Sequence, residues 1–439
     1  MKQIFPMQSM GLYIHWPFCL KKCPYCDFNS YAFEYEPEIW VRTLIQEMQL
    51  AAIAFPGYEI ETIFFGGGTP SLIPPHYIKE LIDTACSLWS VSRGRKKTDV
   101  EITLETNPST IETHALEQFM ASGINRFSIG MQSLSDESLQ FLGRLHSAQE
   151  AITILTHAAK ICDNVSADFI YSLPKDTLNS WRNDLDKILT LADNTRIKHL
   201  SLYQLTIEDG TAFKQQVATK LWSPMDEDKQ SDLYIHTHNT LVGAGWDYYE
   251  ISNAARFIDA SERSINNVPR ETIGSVFGTD VPRETISQAV ADSASCSYRS
   301  QHNLIYWQYR PYLGIGPGAH SRMVSSNGEN RIKFNNTKNP YKWIEEINAS
   351  KSHEENAFLN NKTDFEELNA RSAFQEKVLM GMRVKEGIEI NQEEMEHVSL
   401  GNLNMLLENK FLEYRVDRYK TTLAGRLCLN TVLKLLVGE

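Results

Sequence analysis

Three cysteines fall within eight residues, in Cys19-Leu-Lys-Lys-Cys23-Pro-Tyr-Cys26. Thiolates are soft, charged donors, and three on one short loop suit a zinc ion or an iron–sulfur centre. A closed structural zinc site ordinarily takes four protein ligands, often as two paired hooks, and no second Cys or His hook stands in the sequence. Cys23-x-x-Cys26 alone also fits a redox pair, but such pairs belong to much shorter folds of thioredoxin type. Three thiolates on a [4Fe–4S] cluster leave one iron without a protein ligand, open to a small molecule. The spacing points first to such an open cluster, with zinc and a metal-free loop as alternatives. Cys86, Cys162, Cys296 and Cys428 are isolated and read as small buried hydrophobes. Seven cysteines are an odd count and a poor disulfide framework.

The loop needs a rigid frame, and the sequence supplies one. Strand-like runs recur at Gly11–Trp16, Glu61–Phe65, Val100–Thr106, Arg126–Met131, Ser166–Tyr171, His199–Leu205 and Tyr248–Ile251. Amphipathic stretches lie between them, among them Pro37–Ala54, Pro75–Trp89, Ser135–Leu142 and Asp226–Val242. This alternation predicts an α/β fold with βαβ units and a parallel sheet, as a partial or complete (β/α) barrel. In such a barrel chemistry belongs at the carboxyl ends of the strands, where the cysteine loop follows the first one.

The barrel is expected over residues 1–256. Residues 257–301 form a polar insertion that carries the hexamer Val-Pro-Arg-Glu-Thr-Ile twice, too few copies for a solenoid. Residues 302–363 hold an aromatic and glycine-rich run and a polar connection, and 364–439 a small, mainly helical C-terminal domain of winged-helix pattern. Hydrophobic residues at 42% and charged residues at 22% exclude a disordered chain. A net charge of -12 argues against bulk nucleic-acid binding. No apolar run reaches the length of a transmembrane segment, and the first residues lack a secretory pattern, so a cytoplasmic location is expected.

Cys19-x3-Cys23-x2-Cys26, with Tyr25 before the last cysteine, resembles the hallmark of the radical S-adenosylmethionine (SAM) superfamily. Tyr13-Ile-His-Trp-Pro-Phe-Cys19 narrows the resemblance to the coproporphyrinogen III oxidase-like branch, and the likeness runs through most of the chain outside the insertion. The resemblance implies a radical SAM barrel in which Cys19, Cys23 and Cys26 bind a [4Fe–4S] cluster and SAM chelates its open iron. It places Gly67, Gly68 and Thr69, in Gly66-Gly-Gly-Thr-Pro70, at the methionyl amino group; by itself a glycine triplet is also a tight turn. Glu105 and Gln132, each near a strand end, are implied beside SAM, as are Tyr13, Tyr25 and Phe28 around the cluster loop. Arg144 is implied to pair with the SAM carboxylate, where a guanidinium fork is suited; otherwise it would read as a solvated helix charge. Asp168, a carboxylate in an apolar strand, is implied at the ribose hydroxyls, with Ser172 in place of the family's usual glycine.

Two functions share this branch. The oxygen-independent coproporphyrinogen III oxidases decarboxylate propionates, and their motif runs on to a fourth cysteine, where Phe28 stands here. Those oxidases also carry a longer segment before the cysteines, against 18 residues before Cys19. The heme chaperones of the HemW group carry H-N-x-x-Y-W, matched by His302-Asn-Leu-Ile-Tyr-Trp307. The resemblance therefore implies a chaperone binding heme through His302 and passing it to respiratory-chain proteins at the membrane surface, with enzymatic activity left open and the oxidase as the alternative. Imidazole is a common heme ligand, although a histidine beside aromatics is also an ordinary core residue.

Overall fold

Met10, Leu12, Ile14 and Trp16 alternate along the first strand and all are fully buried. Successive side chains of a strand face opposite ways, so this apolar set meets the helices while Gly11, Tyr13 and His15 face the other side. The computed structural model, which describes residues 8–91, 99–108, 115–257, 298–325, 330–350 and 357–438, repeats this logic along the chain.

The strands are β1 (Gln8–Trp16), β2 (Tyr58–Gly67), β3 (Ser90–Val91), β4 (Glu101–Thr106), β5 (Arg126–Gln132), β6 (Val165–Tyr171) and β7 (His199–Gln204). They continue as β8 (Trp246–Tyr248), β9 (Asn253–Arg256), β10 (Tyr312–Ile315), β11 (His320–Val324), β12 (Arg331–Asn335) and β13 (Thr363–Leu368). One sheet holds them in the order β13-β12-β11-β10-β1-β2-β4-β5-β6-β7-β9-β8, with β3 beside β2. From β10 to β7 neighbouring strands run parallel, and both flanks are antiparallel. Among the described residues no pairing joins β8 to β13. The fold is thus α/β, with a large, parallel-rich sheet that is open among the described residues, the partial rather than the complete form of the expected barrel. Helices such as Pro37–Ala54, Pro75–Leu88, Ala148–Ile161 and Leu178–Thr195 form the crossovers that parallel neighbours require.

The sequence places a strand at Tyr248–Ile251, but only Tyr248 belongs to one, in antiparallel β8. A further parallel strand is instead β10, on the far side of β1 and inside the glycine-rich run. A Cβ at Gly314 would lie 2.3 Å from the His320 carbonyl, so the glycine permits the close turn from β10 to β11. The expected boundary at residue 364 falls within β13, which adds to the large sheet through β12. Beyond it, Phe374, Val378, Leu403, Leu406, Leu412, Leu433 and Leu436 build a second core, and β14 (Leu412–Arg415) and β15 (Arg418–Thr421) form a hairpin. Most of the insertion, 258–297, lies outside the described residues, as does Cys296. Its flanks meet: the Tyr298 N–H donates to the Arg256 carbonyl at 3.1 Å, and Lys198 Nζ donates to the Tyr298 hydroxyl at 2.6 Å.

The region after β10 is fastened to the barrel by a buried ion pair. Lys362 Nζ lies 2.6 Å from Glu47 Oε1 on the helix Pro37–Ala54, and both side chains are almost wholly enclosed. Glu47 Oε2 accepts from the Gly316 N–H and from Trp343 Nε1 at 2.8 and 3.1 Å. Removing one partner strands the other charge in a dry site. Lys362→Met is expected to lower unfolding stability by about 3–5 kcal/mol, and adding Glu47→Gln should recover part of the loss. Denaturant unfolding of the single and double variants checks this, and full additivity would disprove the coupling.

Candidate cluster and SAM site

The inner faces of β4 to β7 carry polar side chains at successive alternate positions, Glu101, Thr103 and Glu105, then Arg126 and Ser128, Ser166 and Asp168, and His199 and Ser201, and β2 adds Thr62. A sheet packed on an apolar core would not tolerate them. Above them lies a cavity of about 640 Å³, a size proper to small-molecule sites, at the carboxyl ends of the parallel strands.

Cys19, Cys23 and Cys26 all line it. Phe18 anchors their loop: fully buried, it stacks on Tyr35 at 4.0 Å and meets Trp40 edge-on at 4.7 Å. His15 Nε2 donates to the Asn29 carbonyl at 2.9 Å, so its Nδ1 accepts from the Tyr13 hydroxyl, also at 2.9 Å. Tyr13 is thereby turned toward bracing the loop. Burial pushes the Cys19 and Cys26 thiols above their ordinary range, against the hydroxyls of Thr69 and Ser30. A bound cationic centre would reverse that and hold them as thiolates. Among the described residues no three His, Cys, Asp or Glu side chains are grouped tightly enough for a single ion. The three thiols on one cavity wall fit a cluster.

The glycine-rich loop crosses directly beneath. The Gly68 N–H donates to the Trp16 carbonyl and the Thr69 N–H to the Phe18 carbonyl, each at 2.7 Å. A Cβ at Gly68 would sit 2.6 Å from that Phe18 oxygen and 3.0 Å from Cys19 Sγ, while Gly67 has a φ of +110°. Both positions therefore require glycine. Glu105 Oε2 accepts from the Gly67 N–H at 3.1 Å. Burial, and next the Asp168 carboxylate, push the Glu105 carboxyl up to about 8. Asp168 is raised by burial, and it accepts from Ser128 and Ser166 at 2.7 and 2.9 Å. Gln132, with a φ of 63°, lines the same cavity. An acidic wall beside bare backbone suits an ammonium and vicinal hydroxyls.

Arg144 is no solvated helix charge. It is half-buried, and its Nη1 approaches Cys23 Sγ at 3.6 Å while Nη2 bonds Asn107 Oδ1. Asn107 in turn donates to Thr69 Oγ1 at 2.8 Å. Tyr25 and Phe28 are on the cavity wall, Phe28 with 56% of its surface exposed. Ser172 has a φ of 61°, which accounts for the glycine expected there. Sequence reasoning missed Asn107, Ser128, Ser166, Arg126, Tyr203 and Asn303, of which all but Ser166 line the cavity. The signal for most of them was the alternation of polar residues within otherwise apolar strands.

His302 is placed elsewhere. It is 1% exposed and does not line the cavity. Its helix, Gln301–Trp307, lies against the interior face of the sheet: Nδ1 bonds Thr62 Oγ1 and Nε2 bonds the Tyr306 hydroxyl, each at 2.7 Å. Glu101 Oε1 accepts from the His302 N–H at 3.1 Å, and the Phe64 ring stacks on the imidazole at 4.9 Å. Burial, with the charge of Arg126, holds this histidine down to about 3. Both ring nitrogens are taken by protein groups, so the residues present do not fit an iron ligated by His302 while this helix is seated.

The model of the radical SAM superfamily matches residues 13–188. The Dictyostelium discoideum radical S-adenosyl methionine domain-containing protein 1, mitochondrial, is 32% identical over 97% of this chain and 93% of its own length. The heme chaperone HemW of Buchnera aphidicola (from Acyrthosiphon pisum) is 31% identical over 93% of this chain and 99% of its own. The chain belongs to the radical SAM superfamily. Within it, the relatives place the chain in the branch of HemN- and HemW-like proteins. Coproporphyrinogen III oxidase HemN from Escherichia coli superposes with a TM-score of 0.73 over 99% of this chain and 91% of that one, at 19% identity, a likeness of fold. Membership implies a [4Fe–4S] cluster and SAM as cofactors.

Two substitutions test the frame. Gly68→Ala is expected to displace the Cys19 segment, so that iron and sulfide per chain after anaerobic reconstitution fall to half or less; unchanged content would remove Gly68 from the cradle. Ser172→Gly is expected to raise stability by about 0.5–1 kcal/mol by relieving the left-handed backbone. A destabilised variant would mean that the bond Ser172 accepts from Gln204 at 3.1 Å outweighs the strain.

Proposed function

We propose that this chain is a heme chaperone: it holds a [4Fe–4S] cluster and SAM at the barrel mouth, binds heme, and delivers it to respiratory-chain proteins. The observation that carries the reading is Phe28, an exposed ring on the cavity wall at the place of the oxidase motif's fourth cysteine. Leu20, on the same loop, is also exposed, at 58%. The name of the Buchnera relative, matched over 93% of this chain and 99% of its own length, supports the same reading.

Cys19, Cys23 and Cys26 would hold the cluster, with Glu105, Gly67, Asp168, Gln132 and Arg144 around SAM. The cluster supplies, when bound, a one-electron couple and an iron free of protein ligands. Arg144 serves both sides, since one Nη approaches a cluster thiol and the other faces the pocket through Asn107. Heme is assigned to the chain without assigning its iron to His302, whose ligation would require two buried hydrogen bonds to break. Among the described residues no helix is long and apolar enough to cross a membrane. Acceptors within a membrane would be met at its surface, from a cytoplasmic location.

The test is an anaerobic heme titration of the reconstituted chain and of His302→Ala, with conversion of coproporphyrinogen III assayed on the same samples. Saturable heme binding without decarboxylation is expected. The variant should keep heme but lose about 2–4 kcal/mol of stability, the cost of a truncated buried ring and its hydrogen bonds. Heme lost from a fully folded variant would return the iron to His302. Decarboxylated product without heme binding would identify the oxidase alternative.

A further inference from the structure

Arg126 projects from β5 into the barrel, 2% exposed, and borders the cavity. Its Nε is buried with no hydrogen-bond partner. A guanidinium cannot discharge itself by losing a proton, so its neighbours must balance it. They come from every element that faces it. On β4 these are Glu101 and Glu105, and on β6 Asp168. His199 from β7, Tyr249 after β8, Cys162 at the end of the helix Ala148–Ile161 and His302 from the helix Gln301–Trp307 also feel its charge. Both histidines are held neutral, chiefly by burial and next by Arg126. Tyr13 of β1, Tyr203 of β7 and Tyr306 of the helix face Glu105 from the remaining sides.

An arginine lining a pocket invites a reading as an anion site. Here its surroundings are acidic, and a further anion would meet Glu105 and Asp168. The charge is already answered from within the wall, one layer below the positions where a ligand would rest: Arg126 pairs in register with Thr103, whereas Glu105 pairs with Ser128.

We propose that Arg126 is the internal counter-charge of the SAM pocket, a positioning residue that favours the ionised forms of Glu105 and Asp168 toward a cationic ligand without touching that ligand itself. This rests on the assignment of the cavity to SAM. The field of Arg126 favours the carboxylates, opposing the burial that pushes Glu105 up to about 8. Removing it must raise the pH at which Glu105 ionises. A ligand that needs the carboxylate then binds more weakly at neutral pH and regains affinity as pH rises.

The experiment is the SAM dissociation constant of the cluster-reconstituted full chain across pH about 6–10, for wild type, Arg126→Gln and Arg126→Lys. Wild-type affinity is expected to strengthen through the ionisation of Glu105. In Arg126→Gln the midpoint should move up by about 1–3 pH units, with affinity about tenfold or more weaker near neutrality and converging at high pH, and Arg126→Lys should restore the profile. An unmoved midpoint, or an equal loss at every pH, would overturn the role and leave Arg126 as packing. If Arg126→Gln does not fold, Glu101→Gln makes the opposite move: it removes a carboxylate competing for the guanidinium, so the midpoint should fall, and an unmoved or raised one overturns the proposal. Absence of SAM binding by wild type at every pH would instead strike the assignment of the cavity, and the role of Arg126 with it.

Discussion

A barrel interior that must receive a charged ligand cannot be apolar, and it cannot be left as a set of unpaired charges either. That constraint shapes this molecule. The inner face of the parallel strands carries carboxylates, hydroxyls, a guanidinium and two histidines, many of them buried. The outer face of the same strands, Met10 to Trp16 on β1 or Phe127 and Ile129 on β5, supplies the apolar burial that holds the sheet to its helices. Stability and function are thus separated by the two-residue period of the strand.

The cysteine loop depends on the same separation. Its sulfurs line the cavity, but its backbone is pinned from behind by Phe18 and an aromatic cluster, and from the side by His15 and Asn29. Asn29 donates to the Pro317 and Lys338 carbonyls, each at 2.9 Å, and so ties the loop to the segments after β10 and β12. The buried Lys362–Glu47 pair fixes that same region to the first helix. The late part of the chain therefore helps to set the geometry of a motif that lies near its beginning.

Much of this was legible in the sequence because its signals are local. The runs around β1, β2, β4, β5, β6 and β7, and the helix Pro37–Ala54, announce themselves by periodicity, and the glycine triplet by composition. What escaped was decided over long distances. The strand status of Tyr312–Ile315 depends on β1, three hundred residues earlier, and a glycine within it reads as a loop. The environment of His302 is set by Thr62 and Glu101, neither of which any local pattern connects to it. Arg144 gave no sign of its burial, because its partners Asn107 and Cys23 come from two other loops. Ser172 marks the opposite case, a departure from the family's residue seen in the sequence whose meaning, a left-handed backbone, only the structure supplies.

The hydrogen-bonded junction of Arg256 with Tyr298 has a consequence of its own. Because the two flanks of the insertion already touch, the entropy of closing the chain there grows only slowly with the length of what lies between. Segments of quite different size can be exchanged at this doorway without asking β9 or the following helix to move. Duplication of a short string, such as the twin Val-Pro-Arg-Glu-Thr-Ile, is the sort of change it can absorb, and the fold on either side need not register it.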